Sequence, residues 1–309
     1  MPQKYKKICI CAKKNVILQP KMDKRAAFHR ILAYIKHVLT AWNTTGEGIH
    51  SPYLFRIVRF ILRDENTFYC FADIERRREQ LLACPDVLDV VDFGSQGAPE
   101  GKLVHRRVCD IAKNHLESPK VGQTLFRLLH FMGQEEHRPL HILELGTSLG
   151  ITTAYLASVS SHNKVLTFEG SEAVLRLAQG VWRTLRLENI QWQQGNIDDT
   201  LLNIYGGQRQ ALSRNDKRLT TNDQRPIDLA FVDANHTYEA TKRYVEWLMP
   251  RMTEKGILVL DDIHYSKDME RAWQELKADE RVTTTMDLYH IGLLFFDPHY
   301  LKRHYRIRI

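Results

Sequence analysis

Five carboxylates and one histidine carry the chemistry this chain could do. Glu144 begins the turn Glu144-Leu-Gly146-Thr-Ser148-Leu-Gly150-Ile-Thr152, and Glu169 closes the next apolar run. Asp233 and His236 stand in VDANHTYEA, residues 232–240, and Asp261-Asp262 ends the apolar run 256–261. The first group reads as the front end of a nucleotide-type cofactor site. A glycine turn at a helix N-terminus aims unpaired N–H groups at a ligand. An acid at the end of the following strand can accept bonds from both hydroxyls of a ribose. The second group offers oxygen ligands for a hard cation such as Mg2+, with water completing the shell. Its histidine can serve as a base near neutral pH.

The turn also bears on which cofactor it would hold. Gly146 permits a sharp bend, and Gly150 lets a helix pack close to the strand. Ser148 occupies the place where a dinucleotide turn has its middle glycine, which a pyrophosphate needs for close backbone approach. Glu144, a carboxylate at the end of the first strand, would repel a pyrophosphate and suits a cationic amine. S-adenosylmethionine has an ammonium, a sulfonium and a ribose, and no phosphate. Plainer roles compete at each position. Glu169 could be a solvated strand end, Asp261 or Asp262 could cap the next helix, and His236 could hydrogen-bond a loop.

Positioning these groups requires a sheet. Short apolar runs at 140–145, 164–168, 190–194, 227–232 and 256–261 alternate with amphipathic helices, the pattern of βαβ units on a parallel sheet. Asp233, Asp261 and Asp262 then fall at the C-terminal ends of adjacent strands, where open α/β sheets bind ligands. Runs 282–288 and 291–296 are separated only by Tyr289 and His290, so they must pair antiparallel.

Upstream, Phe28, Ile31, Leu32, Ile35, Val38, Leu39 and Trp42 recur at helical spacing behind Asp23, a plausible N-cap. Ser51-Pro52 starts another helix, with serine as N-cap and proline at the first position. Helical stretches follow near 102–115 and 120–133, after a glycine-rich loop at 93–101. The division expected is a disordered basic tail (1–21), a helical cap region (22–117) and a cofactor-binding domain (118–309), with a polar surface insertion at 206–226.

Composition narrows the setting. The chain has 309 residues and a net charge of +7, but residues 1–30 carry +8 and residues 301–309 carry +4, which leaves −5 on the body between them. A nucleic-acid enzyme usually places its basic stripe on the folded body, so nucleic acid is not the expected partner. No apolar run approaches the ~18 residues of a membrane span, and no secretory signal is evident. A cytoplasmic protein is expected. Cys9, Cys11, Cys70, Cys84 and Cys109 form no CxxC pair and read as reduced thiols.

Together these residues resemble the class I S-adenosylmethionine-dependent methyltransferases, over about 118–297. Their fold ends in an antiparallel hairpin after five α/β repeats, as the spacing here requires. SPKVGQTLFRLL, 118–129, is similar to the segment before the first strand in caffeoyl-CoA and catechol O-methyltransferases, and VDANHTYEA is similar to a segment of macrolide-sugar O-methyltransferases. The resemblance implies a Rossmann-like seven-stranded sheet with an N-terminal helical cap. It implies that Glu144, Gly146, Gly150 and Thr152, on the turn with Ser148, face the methionine part of the cofactor. Glu169 would hold the ribose, and Asn196 with Ile197 the adenine edge. Asp233, Asp261 and Asp262 would bind Mg2+, Asp233 also lying against the cofactor, while His236 deprotonates the acceptor.

The reading that follows is a metal-dependent O-methyltransferase of a small-molecule hydroxyl, expected as a homodimer since relatives of this kind often are. Three alternatives stand beside it. One is a metal-independent methyltransferase of nitrogen or of a macromolecule. The others are an NAD(P)-linked oxidoreductase, which Ser148 and Glu144 disfavour, and a binding module without catalysis.

Overall fold

A strand covered by helices on both sides must be apolar on both faces. IDLAFV, residues 227–232, is buried at every position and apolar at all of them but Asp228. The computed structural model describes residues 24–92, 101–205 and 226–309. The expected tail, the Asp23 cap, Cys9, Cys11, nearly all of the 93–101 loop and nearly all of the 206–226 insertion lie outside them. In order, the chain forms α1 (Lys24–Thr40), α2 (Pro52–Arg56), α3 (Phe71–Ala83), β1 (Val87–Asp92), β2 (Lys102–Arg107), α4 (Val108–His115), α5 (Pro119–Glu136), β3 (His141–Leu145), α6 (Ile151–Ala157), β4 (Lys164–Glu169), α7 (Glu172–Thr184), β5 (Ile190–Gln194), α8 (Ile197–Tyr205), β6 (Ile227–Val232), α9 (Tyr238–Leu248), β7 (Met252–Asp261), α10 (Lys267–Ala278), β8 (Thr284–Asp287), β9 (Ile291–Phe295) and β10 (Arg303–Arg306).

The main sheet has the order β10-β8-β9-β7-β6-β3-β4-β5. Strands β3 to β7 are mutually parallel, and β9 runs antiparallel between β7 and β8. This is a Rossmann-like, mainly parallel sheet, and the expected antiparallel hairpin is β8–β9. Successive strands fill one side as β3, β4, β5 and the other as β6, β7. The switch point therefore lies between β3 and β6, the place where such sheets bind ligands.

The two faces bury different helices. Ile142, Leu229 and Val259 share one core with Leu54, Ile74, Val108 and Leu128, so α2 to α5 pack with α6 and α7 on that side. Leu143, Ala230 and Leu258 share the other with α9 and α10. Ser51 caps α2 as its sequence indicates, accepting a bond from the Leu54 N–H at 3.4 Å.

Three expectations need correction. The sheet has eight strands, not seven, because residues 303–306 pair parallel with β8. Their basic side chains read as a tail, but Tyr305 and Ile307 alternate with them and are buried. The stretch 102–115 is a helix only from Val108. Residues 102–107 instead pair antiparallel with β1, Val87 opposite Arg107 and Asp92 opposite Lys102. The upstream region is thus not wholly helical. Helix α1 forms as expected, but its apolar stripe faces outward. Phe28 is 62% exposed, Leu39 79% and Trp42 78%. The helix is seated by its other face, through Tyr34 against Tyr289 and the buried His37.

Asp228 opens β6 at the end away from Asp233. It is buried and accepts two bonds from Arg138 at 2.6 and 2.9 Å, one from the His141 N–H and one from Thr253. Asp228→Ala should lower stability by about 1–3 kcal/mol, because buried donors lose their acceptor. Chemical denaturation checks this, and cofactor affinity should stay unchanged because the site lies at the opposite strand end.

Candidate active site

The turn after β3 is shaped by close backbone contacts. Gly146 has φ +99°, and a Cβ there would lie 1.9 Å from the carbonyl oxygen of Asp233. The approach is held by the Asp233 N–H donating to Leu145 at 2.8 Å. Gly150 has φ +77°, and a Cβ there would meet Trp182 Nε1 at 2.6 Å, so α7 packs tightly on the turn. Between them Ser148 adopts φ +49°, a left-handed conformation without glycine. Its N–H donates to Glu169 Oε2 at 2.9 Å, which links the turn to the end of β4.

Glu169 is half-buried, and its Oε1 accepts from the Ser171 N–H at 2.9 Å. Burial pushes its carboxyl up to about 7 against the pull of these backbone donors. The orientation is fixed, and each oxygen keeps a further lone pair for a hydroxyl. Asn196 and Ile197 sit beyond β5 at the same sheet edge, where Asn196 Oδ1 accepts from the Asp198 N–H and begins α8. Glu144 departs from expectation. It is fully buried, and its Oε2 accepts from Thr153 at 2.5 Å and Thr167 at 2.6 Å. Burial raises its carboxyl to about 8. It ties β3 to β4 and α6 from beneath the turn, with Oε1 left without a partner. Thr152, also buried, belongs to the first turn of α6.

Across the switch point lies the second group. Ligand atoms of Asp233, His236 and Asp261 all fall within 4.8 Å of one another. His236 Nε2 is 3.4 Å from Asp233 Oδ1, and its ring packs tilted against Tyr265 at 5.8 Å. Asp262 was expected to complete a carboxylate triplet. It is not among these mutually close atoms, and His236 takes its place. Asp262 itself has φ +51°, which turns the chain directly after Asp261. The competing role as helix cap is also excluded, since Ser266 caps α10 by accepting from the Met269 N–H.

One residue of this cluster escaped the sequence. Glu117 hydrogen-bonds Asp261, and burial together with Asp233 and Asp262 pushes its carboxyl up to about 8. Asp261 is raised well above the usual carboxylate range by burial and by Glu117, Asp262 and Asp233. Burial pulls His236 down, but Asp233, Asp262 and Glu117 outweigh it and leave its affinity for a proton raised. Asp261 Oδ1 and His236 Nδ1 are both buried without a hydrogen-bond partner. The cluster therefore has more negative charge than it can keep ionised, and protons or an added cation must relieve it.

Residues 143–263 match the model of a protein family described as a methyltransferase domain. The match contains the turn, Glu169, Asp233, His236 and the Asp261-Asp262 pair. No curated protein matches the chain. Among solved structures the chain is similar to the O-methyltransferase from Bacillus cereus in complex with SAH, at 17% identity over 75% of this chain and 92% of that one, with a TM-score of 0.49. It is similar to an SAH-bound methyltransferase from Podospora anserina, at 11% identity over 91% and 99%, TM-score 0.49. It is similar also to the O-methyltransferase TomG from Streptomyces achromogenes in complex with SAM, at 17% identity over 59% and 82%, TM-score 0.44.

The raised carboxyls have a measurable consequence in the ligand-free protein. Glu117 and Glu144 bind protons up to about pH 8 and Glu169 to about 7, whereas a free glutamate releases its proton near 4.5. Folding then favours the protonated forms. That stabilisation is full below pH 4.5 and is lost as pH rises through 7 to 8. The melting temperature should fall between pH 5 and 8.5, and less steeply in Glu144→Gln. A melting temperature that rises across this window would contradict the assignment.

Proposed function

We propose that this chain, an S-adenosylmethionine-dependent methyltransferase of the class I fold, methylates a small-molecule hydroxyl with the help of a divalent cation. The observation that carries this reading is the Asp233–His236–Asp261 set beside the turn, with Asp261 Oδ1 and His236 Nδ1 buried and unpartnered. The donors are mostly carboxylate oxygens, which suits Mg2+ or Mn2+. Asp233 and Asp261 would hold the ion, with Asp262 and Glu117 adding their charge close by. A divalent ion, when bound, lowers the pKa of a hydroxyl that it meets.

The cofactor supplies a methyl group on a sulfonium, and the chain's residues hold and orient the reactants. Glu169, fixed by the Ser148 and Ser171 N–H groups, would accept the ribose hydroxyls. The turn from Gly146 to Thr152 would hold the methionine part, with Ser148 in its bend, Glu144 bracing it from below and Asp233 alongside. Asn196 and Ile197 would border the adenine. His236 would take the acceptor's proton at Nδ1, the nitrogen that Asp233 does not face. Alignment of acceptor and methyl donor is the chief source of rate in such a transfer.

The setting proposed is cytoplasmic and homodimeric, with an acceptor other than nucleic acid. The net −5 of residues 31–300 supports the last point. Among the described residues no helix is long and apolar enough to cross a membrane. Cys70, Cys84 and Cys109 are free thiols, in keeping with a reducing compartment.

One observation favours metal-independent transfer instead. Glu117 and Asp261 share a hydrogen bond, so a proton can relieve the cluster as a cation would.

Three measurements test the proposal. In titration calorimetry, Glu169→Ala should weaken S-adenosylmethionine binding by about 1.5–3 kcal/mol, the worth of bonds to a charged group. Unchanged affinity would remove Glu169 from the ribose. Transfer to a panel of catechol and sugar hydroxyls should stop with EDTA and return with Mg2+ or Mn2+; transfer that persists in EDTA selects the metal-independent reading. His236→Ala should lower turnover by about 10²–10⁴ while cofactor affinity holds. A wild-type rate in that variant would leave the proton to another group.

A further inference from the structure

A second cluster of metal-ligating side chains lies outside the proposed active site. His37 on α1, His264 in the loop after β7 and Asp287 at the end of β8 bring ligand atoms within 4.8 Å of one another. Their side chains are only 3%, 10% and 7% exposed. His37 Nδ1 lies 3.2 Å from Asp287 Oδ1, and His264 Nε2 lies 3.1 Å from Asp287 Oδ2.

The outer nitrogens of both rings are already engaged. His37 Nε2 stands 3.2 Å from the Ile307 carbonyl, which can only accept, so this nitrogen carries the proton. His264 Nδ1 stands 3.2 Å from Glu270 Oε1. A metal-bound histidine typically donates its other N–H in just this way, to a backbone carbonyl or a carboxylate. The arrangement leaves the inner nitrogens of both rings aimed at one carboxylate. In a neutral His37 the inner Nδ1 is then a bare, buried lone pair facing Asp287 Oδ1, and only a charged His37 can pair with that oxygen. Two electron-rich atoms at such a distance call for a positive centre between or beside them.

We propose that His37, His264 and Asp287 bind a borderline divalent transition ion, zinc in the first instance, at a site separate from the Asp233 cluster. Two imidazoles and one carboxylate are a ligand set of zinc, with a fourth position for water. A cleft of about 550 Å³ lined by both histidines gives water and ion a way in. Lys36, Lys267, Arg271, Lys277 and Arg306 also line that cleft, and Arg306 Nε reaches Asp287 Oδ2 at 3.3 Å. Such a field repels a hard ion held by charge alone. The site therefore selects a metal that bonds strongly to imidazole over Mg2+ or Ca2+. The ion would clamp α1 to β8 and to the strand that ends before Ile307.

The test uses tag-free protein from zinc-supplemented cells, with zinc counted per chain. About one zinc per chain is expected in the wild type and in Asp233→Asn, and none in His37→Gln. Glu270→Gln should keep the ligands but weaken zinc by about 10- to 100-fold, the usual cost of losing an outer partner. Should His37→Gln fail to fold, Co2+ added to wild-type protein decides. Intense visible d–d absorption, with nitrogen neighbours at about 2.0–2.1 Å by X-ray absorption, supports the site. Protein that retains no zinc at micromolar free zinc holds a protons-only cluster and overturns the proposal. Zinc retained by a folded His37→Gln, or lost only in Asp233→Asn, overturns it equally.

Discussion

The backbone of Gly146 passes so close to the Asp233 carbonyl that no side chain fits between them. The rest of the sheet edge is arranged around that contact. It joins the C-terminal ends of β3 and β6, the strands on either side of the switch point. The cofactor turn and the acidic cluster therefore form one rigid unit. The Ser148 N–H extends the unit to Glu169, and the Asp233 N–H closes it onto Leu145. A shift in any of these strands would displace the turn and the acidic cluster together. The proposed methyl transfer would depend on their separation, since reacting atoms must sit within about 3–3.5 Å of each other.

Around this unit the dominant electrostatic fact is an excess of buried carboxyl groups. Glu144, Glu169, Glu117 and Asp261 all hold protons more tightly than free acids do, with burial as the leading cause in each. Glu144 is a structural member of the set, since two threonine hydroxyls occupy one of its oxygens. The others face the space where a cationic cofactor and a metal would lie. An edge built this way is relieved by positive ligands and burdened by phosphates, consistent with the absence of a middle glycine at Ser148.

The strands that position the site were legible because apolar runs covered on both faces have few other interpretations. Gly146, Gly150 and the two-residue link Tyr289-His290 were legible for a similar reason, since each allows only a narrow range of backbone geometry. Glu117 was not legible. It directly precedes Ser118, the cap of α5, and reads as a loop residue at a helix start; only the fold brings it to Asp261. Asp262 was misjudged in both its possible roles, because Ser266 four residues later is the better cap and the local chain turns sharply. Residues 102–107 and 303–306 were missed as strands because basic side chains fill most of their exposed positions. Alternation over so few residues is a weak signal. The outward stripe of α1 illustrates a further limit: periodicity shows that a helix has an apolar face but not which way the face points.

Helix α1 and the turn after it are held by residues some 260 positions further along the chain. His37 meets the Ile307 carbonyl, Arg306 bonds Thr40 and Asn43, the Arg308 N–H donates to Thr44, and the Tyr289 hydroxyl donates to the Arg30 carbonyl. These partners stand 259 to 270 positions apart. During synthesis α1 emerges some 259 to 270 residues before its docking partners. Until those partners are made the helix has nowhere to sit, and its apolar residues are open to chaperones or to neighbouring nascent chains. The order of synthesis thus makes the docking of α1 a late step in folding.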